Sequence, residues 1–579
     1  MLLTSTRFRG MTHHMPSLTK KIIKGHAYYY LRECQRVNGK PKIVRTIYLG
    51  SAKTLLDRVT RPTPQQVDIH EFGASAATYD IACALDVVGT IDRHVPKRGT
   101  QGPTVGQYLL LAALNRCVAP RSKAQLGAWY AKTSLHRWLG ISPSQLSSQR
   151  FWDNMDRVNE GHLRAIESDL SKTAVKHFGL DLRCLLYDAT NFFTFIDSFN
   201  EGCTLAQRGH SKEGRANLRI LGLALLVTSD GDVPLFHRFY PGNQTDAVTF
   251  RGVVSELADR CRELGRGACD ITLVFDKGNN AEDNLQTVGQ GPWHFVGSLV
   301  PSHHKDLLAI PREKMRPLDP IQFPSVRSYR TKKVVFGVER TVLSTFNQEL
   351  FDAQCATLQR ETNKRMPKLR DIQESLLRYA AKPRGKPPTV QGVQKKVDTL
   401  LQGKPLKDLF TTSVETSPTG LPQFSFDFNE HAWKHLQDTL LGKTILFTDR
   451  DDWTDEQIVA AYRSQSHVEA AFRRMKDPFF LTFRPTFHWT DQKLRVHAFC
   501  CVLALLIASL LRRRLAQNGL QHSLREMMAI LSDIREVAIV YEKDSQSQQP
   551  LVRTMLSKST PAQEKMLEVL DLQRYRVEA

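Results

Sequence analysis

The chain has 579 residues, 41% hydrophobic and 24% charged. That balance excludes wholesale disorder and implies two to four domains, each with its own core. Lysine and arginine outnumber aspartate and glutamate by 80 to 59, a net charge of +21 with a pI near 9.5, as expected of a polyanion binder.

The excess charge is clustered. Residues 1–50 carry ten Lys/Arg against Glu33 alone, and residues 360–396 carry eleven against three, a distribution that suits backbone-phosphate contacts. The ten cysteines form no C-x-x-C pair and read as reduced and buried. The apolar run Ala498 to Leu511 covers 14 residues, too few to span a bilayer, and the N-terminus lacks a signal-peptide core, so a cytoplasmic location is expected.

The first ten to fifteen residues look unstructured. HAYYYLRECQRV and KPKIVRTIYLG then flank Asn38-Gly39, which predicts a small basic β-hairpin because both turn positions tolerate positive φ. From about residue 75 to 178 the period is helical, with Pro103, Pro120 and Pro143 at helix boundaries and a last helix beginning near Glu160. Short β-rich runs follow: LRCLLYDAT, NLRILGLALLVTSDG, DVPLFHRFYPG and ITLVFDKGN, with a helix from Asp246 to Leu264 before the last and a turn at Ser229 to Asp232. Three strands, a helix and a fourth strand predict an α/β core. Residues 301–440 interrupt it with basic β segments and a charged helix, after which KTILFTD leads into one long helix from Thr454 to Lys476.

Asp188 and Asp276 each end a strand, where α/β sheets present ligand-binding groups. Either one alone is more often a turn or N-cap residue. On the long helix, Tyr462, Gln465, Glu469, Arg473 and Lys476 follow i, i+3, i+4 steps and share a polar face, while Ile458, Val468, Ala471, Phe472 and Met475 are left mainly for an apolar one. Such a face is by itself usually just solvated. Two strand-end aspartates and a helix glutamate together suit a pair of hard divalent cations, which activate the attacking and leaving oxygens of a phosphodiester.

The helix reads YRSQSHVEAAFRRMK and resembles the Y-x2-R-x3-E-x6-K signature of bacterial insertion-sequence DDE transposases. Tyr462, Glu469 and Lys476 match in identity and spacing. Gln465 stands where the pattern has arginine, which keeps hydrogen bonding but loses charge and fork; Arg463 or Arg473 are the available substitutes. LLYDATNFFTF, VFDKGNN and the 193 residues from Asp276 to Glu469 are similar to the same family, within its insertion-sequence-four superfamily, and the resemblance covers roughly residues 20 to 515.

The resemblance implies an α/β, ribonuclease-H-like core interrupted by a largely β insertion. The expected division is a basic hairpin region 1–70, a helical DNA-binding domain 71–178, core 179–300, insertion 301–440, core 441–520 and a C-terminal helical region 521–579. It implies that Asp188 bridges two Mg2+ ions, with Mn2+ a possible substitute, that Asp276 binds one and Glu469 the other, and that Tyr462, Gln465, Arg473 and Lys476 contact DNA. The implied reaction is cleavage at element ends followed by 3′-hydroxyl attack on target DNA, by a homodimer on double-stranded DNA in a cytoplasmic, nucleoid-associated setting. Trp293 and Phe295 are candidates to hold a flipped base, though a buried strand is the better reading. His497 reads as a buried, satisfied histidine, and Arg512, Arg513 and Arg514 as cations that complement a helix dipole and are placed to touch DNA. The competing readings are a ribonuclease-H-like nuclease without strand transfer and a non-catalytic, transposase-derived DNA-binding protein.

Overall fold

The computed structural model describes residues 15–37, 40–59, 64–97, 99, 101–197, 199–211, 214, 217–264, 271–280, 282–289, 291, 293–403, 405–484, 486–541 and 551–577. The opening residues and the Asn38-Gly39 turn therefore lie outside the described residues. The chain forms two compact units. It is 48% helix and 24% strand, a mixed α/β protein.

The smaller unit holds the residues through Gly73, Lys132–Ser134 and those from Ser532 on. Strands Met15–Ile23, His26–Val37 and Lys40–Ser51 form an antiparallel sheet in chain order. The basic hairpin thus has a third strand, joined through Lys24 and Gly25 at φ of 49° and 76°, the positive values a two-residue hairpin turn requires. A second sheet sets Arg535–Tyr541 between Val552–Leu556 and Pro64–Glu71. The C-terminal region is therefore not wholly helical: REVAIVY is a β-branched run that finds a partner strand near the opposite end of the chain, with Glu71 opposite Arg535 in a register that ends at Pro64 opposite Tyr541.

The larger unit begins with the helices expected before residue 178, ending in Glu160–Phe178, which is capped by Asn159 and stopped by Gly179 at φ 57°. The stretch SKAQLGAWYAKTSLHRWL does not form one helix but three short pieces: Lys123–Gln125, Leu126–Tyr130 and Leu135–Leu139. The same unit contains a nine-stranded sheet. Cys184–Phe193 runs antiparallel to Ile220–Thr228, which runs antiparallel to Pro234–Pro241. On its other side Cys184–Phe193 runs parallel to Thr272–Phe275, and that strand parallel to His294–Ser298.

The insertion's strands do not form a separate β domain. The hairpin Val326–Val335 and Val338–Asn347 joins the same sheet, because Lys443–Thr448 seats itself between Val338–Asn347 and His294–Ser298. What stands apart is a helical piece: Gln348–Ala381, Val390–Leu400, Glu430–Thr439 and the short hairpin Phe410–Thr416 with Pro422–Phe428, closed over Leu369, Val397, Leu409 and Phe424.

Helix Asp491–Gln517 is long and apolar enough to cross a membrane, but 94% of its apolar window is buried in the protein. It is a core helix. Cys500 and Cys501 on it are free and buried, as expected, but among the described cysteines Cys83 is exposed.

Candidate active site

Leu186 stands opposite Val274 on parallel strands. Asp188 and Asp276 each lie two residues further on, on strands about 4.8 Å apart, but only Asp276 follows the end of its strand. Asp188 is not strand-terminal as expected, because Cys184–Phe193 continues past it in antiparallel pairing with Ile220–Thr228. Asp276 takes the N-cap position of the turn Lys277–Asn279 but makes no capping bond. Its Oδ1 instead accepts from Ser298 Oγ at 2.8 Å and from the Tyr462 hydroxyl at 3.3 Å. The turn-residue reading of Asp276 therefore leaves its side chain unexplained, while a role at a site accounts for it. Asp188 Oδ1 accepts from the Ala189 amide at 2.7 Å.

The predicted helix 454–476 is broken. Asp455–Arg463 and Ser466–Lys476 are separate helices, and Ser464 between them turns its hydroxyl onto the Ala461 carbonyl at 2.5 Å, a local bond that competes with the helix ladder. Tyr462 lies in the last turn of the first piece. Burial, then the neighbouring charges of Asp276 and Glu469, push its phenol well above the usual range, so Glu469 lies near the same hydroxyl. Lys476 ends the second piece and donates to Thr190 Oγ1 at 2.8 Å, two residues beyond Asp188 on its strand.

Glu469 and Arg473 are exposed. Gln465 is not: it is 9% exposed, and its amide nitrogen is buried without a partner. Gln465 falls in helical step with the buried Ala461, Val468 and Phe472, so it lies on the apolar side and does not stand as an exposed phosphate contact. Among the described residues, no three His, Cys, Asp or Glu side chains lie close enough together to hold a metal ion. The carboxylate oxygens are the right donors for a hard dication. Asp188 and Asp276 are level, while Glu469 stands off on an exposed, three-torsion side chain.

A cavity of about 660 Å3 adjoins this site, with Lys277, Ser298 and Tyr462 at one end and Leu350, Gln354 and Thr357 of the insertion's long helix on its wall. The other singled-out residues are structural. Phe295 is fully buried in its strand and Trp293 is 6% exposed. His497 is buried and bonded through Nε2 to the Phe483 carbonyl at 2.9 Å, although its Nδ1 has no partner. Arg512 binds Asp232 at 2.6 Å, Arg513 binds Asp230 at 2.8 Å and Arg514 binds Asp80 at 2.9 Å, so these three tie the core helix to neighbouring segments.

Sequence reasoning missed Asp232, which it read only as a turn residue. Its carboxylate is 1% exposed and receives Arg474 and Arg512, each at 2.6 Å, together with His467. Burial pushes its pKa up, but these donors outweigh it and hold the group down at about 2. His467 and Arg474 flank Glu469 on one helix, so Asp232 clamps that helix at both ends. Nothing local in SDGD signals it.

No family model matches the chain, and no curated protein does. Among solved structures, a piggyBac transposase synaptic complex with hairpin DNA matches over 79% of each chain at 8% identity and a TM-score of 0.39. A Mos1 transposase paired-end complex with the left transposon end matches over 34% of this chain and 60% of that chain, at 14% identity and a TM-score of 0.15. Overlaps this loose carry no weight for fold or activity.

Proposed function

We propose that this protein is a DNA transposase of the DDE type, with Asp188, Asp276 and Glu469 as its acidic residues. One observation carries the reading. Asp188, in the middle of Cys184–Phe193, and Asp276, just past the end of Thr272–Phe275, lie on adjacent parallel strands two residues beyond the Leu186–Val274 pair, and Tyr462 and Lys476 of the signature helices bond to Asp276 and to the strand of Asp188. Three antiparallel strands followed by two parallel ones, within the larger sheet, support a ribonuclease-H-like core.

Asp188, Asp276 and Glu469 would hold two Mg2+ ions, or Mn2+ in their place, and the bound ions would supply the charge stabilisation that phosphodiester cleavage and strand transfer need. Ser298 and Tyr462 orient the Asp276 carboxylate. Lys476 fixes the helix against the strand, and exposed Arg473 is placed for a phosphate. The substrate is double-stranded DNA at element ends and targets, bound by a homodimer in the cytoplasm.

The test uses duplexes carrying the inverted repeats that flank the gene. Asp188→Asn, Asp276→Asn and Glu469→Gln are each expected to abolish cleavage in Mg2+ while retaining gel-shift binding. Cleavage at the wild-type rate in any one removes that residue from the site. Cleavage without joining to target in the wild-type protein would favour a nuclease, and end binding without cleavage a non-catalytic DNA-binding protein.

A further inference from the structure

A second cavity, of about 410 Å3, lies in the larger unit away from the carboxylates, between the short helices around residue 123 and the segment 478–488. Arg116, Arg121, Lys123 and Arg484 line it together with His488 and His497, and among the described lining residues there is no aspartate or glutamate. Lys123 is 7% exposed and Arg116 5% exposed. Among the described residues the Lys123 ammonium has no hydrogen-bond partner, and neither does Arg116 Nε. The nearest compensation for Lys123 is the Phe151 ring at 5.1 Å.

Buried charges are ordinarily paired, and an uncompensated one is among the costliest features a fold can carry. We propose that this cavity is a phosphate-binding site, filled by a phosphate group that is either free or part of a DNA strand. Phosphate offers several oxygens to a mixed set of guanidinium and ammonium donors, which a single carboxylate or halide cannot satisfy. Trp152 and His488, with ring centroids 4.6 Å apart, leave an aromatic wall beside the cations. Burial and the cations Lys123, Arg116 and Lys493 hold His488 down at about 4, so in the ligand-free protein the imidazole does not add a further charge. The site rests on its own geometry and not on the assignment of the carboxylates.

The test follows melting temperature against inorganic phosphate at constant ionic strength set with chloride, in the wild-type protein, Lys123→Met and Arg121→Ala, and follows duplex affinity against salt in the same three. Phosphate is expected to raise the wild-type melting temperature saturably. Lys123→Met should raise the half-saturating concentration about tenfold, the loss of one charged hydrogen bond. Exposed Arg121→Ala should raise it less and keeps the test open should Lys123→Met fold poorly. If the ligand is a strand phosphate, the same variants also lower the log–log salt slope of duplex binding by about 0.9, the counterion release of one neutralised phosphate, and inorganic phosphate competes with duplex. If it is free phosphate, the slope stays unchanged. A wild-type protein that shows neither a saturable phosphate response nor a slope change in the variants overturns the proposal, as does a phosphate response that both variants retain. Cleavage is not read, so failure of the carboxylate assignment leaves these outcomes intact.

Discussion

Asp232 and Lys123 are both buried charges in the larger unit, yet they are treated oppositely. Asp232 has His467, Arg474 and Arg512 around it, whereas the Lys123 ammonium has an aromatic ring and, among the described residues, no hydrogen-bond partner. The contrast separates two uses of a buried charge. A satisfied one fixes the positions of the elements that satisfy it; an unsatisfied one keeps donors ready for something that arrives later.

The largest effect should come from removing the satisfied charge. Asp232→Ala strands two guanidinium groups and is expected to cost about 3 kcal/mol, the low end for a broken buried pair because Arg474 and Arg512 retain some solvent. Urea unfolding would show it, and a loss below about 1 kcal/mol would dissolve the contrast. The same group sets an acid limit. Its folded pKa of about 2 lies below the unfolded value of about 3.9, so its stabilisation is complete above pH 4 or so and is lost as pH falls toward 2. Glu167, held at about 2 by His237, Arg260 and Arg238 against burial, adds to the same limb.

Next in size is Gln465→Arg. An arginine facing phosphate there would tighten end binding, whereas burial at position 465 predicts destabilisation of about 2 kcal/mol from a confined charge. Chemical denaturation alongside gel shifts decides between them.

The smallest effect should be a gain. Without phosphate, Lys123→Met removes an unpaired buried charge and is expected to stabilise the protein by about 1 kcal/mol at pH 7. Burial and then Arg116 lower Lys123 to about 8 from 10.5, so the folded chain loses this proton first and the wild-type protein regains stability as pH rises above 8. The advantage of Lys123→Met should shrink over the same range, and an advantage constant from pH 7 to 9.5 would show that the ammonium is not the cause.

Local chemistry made much of the molecule readable. The helices Glu160–Phe178 and Asp246–Leu264 begin and end where the sequence indicates, and the strands that carry Asp188 and Asp276 are β-rich runs, of which only the second is closed by its aspartate while the first continues to Phe193. What was not readable depends on partners distant in sequence. Asp232 meets cations at 467, 474 and 512; the insertion strands pair through a segment at 443–448; REVAIVY pairs with residues 64–71. The break at Ser464 illustrates the opposite failure, where one hydroxyl bonding three residues back outweighed a helical period that continues through it. Gln465 was misassigned for a simpler reason, since it is in step with the buried Ala461, Val468 and Phe472 as well as with the polar positions.

The seat of Lys443–Thr448 between Val338–Asn347 and His294–Ser298 also orders events in time. When Ser298 has left the ribosome, that strand is an open edge, and the segment that covers it emerges about 145 residues later, on the order of 10 s at about 15 residues per second. For that interval the nascent chain offers an unpaired apolar strand to any neighbour. Glu469 emerges later still, and a polypeptide cut short before Lys443 would carry Asp188 and Asp276 with that edge unpaired and exposed to aggregation.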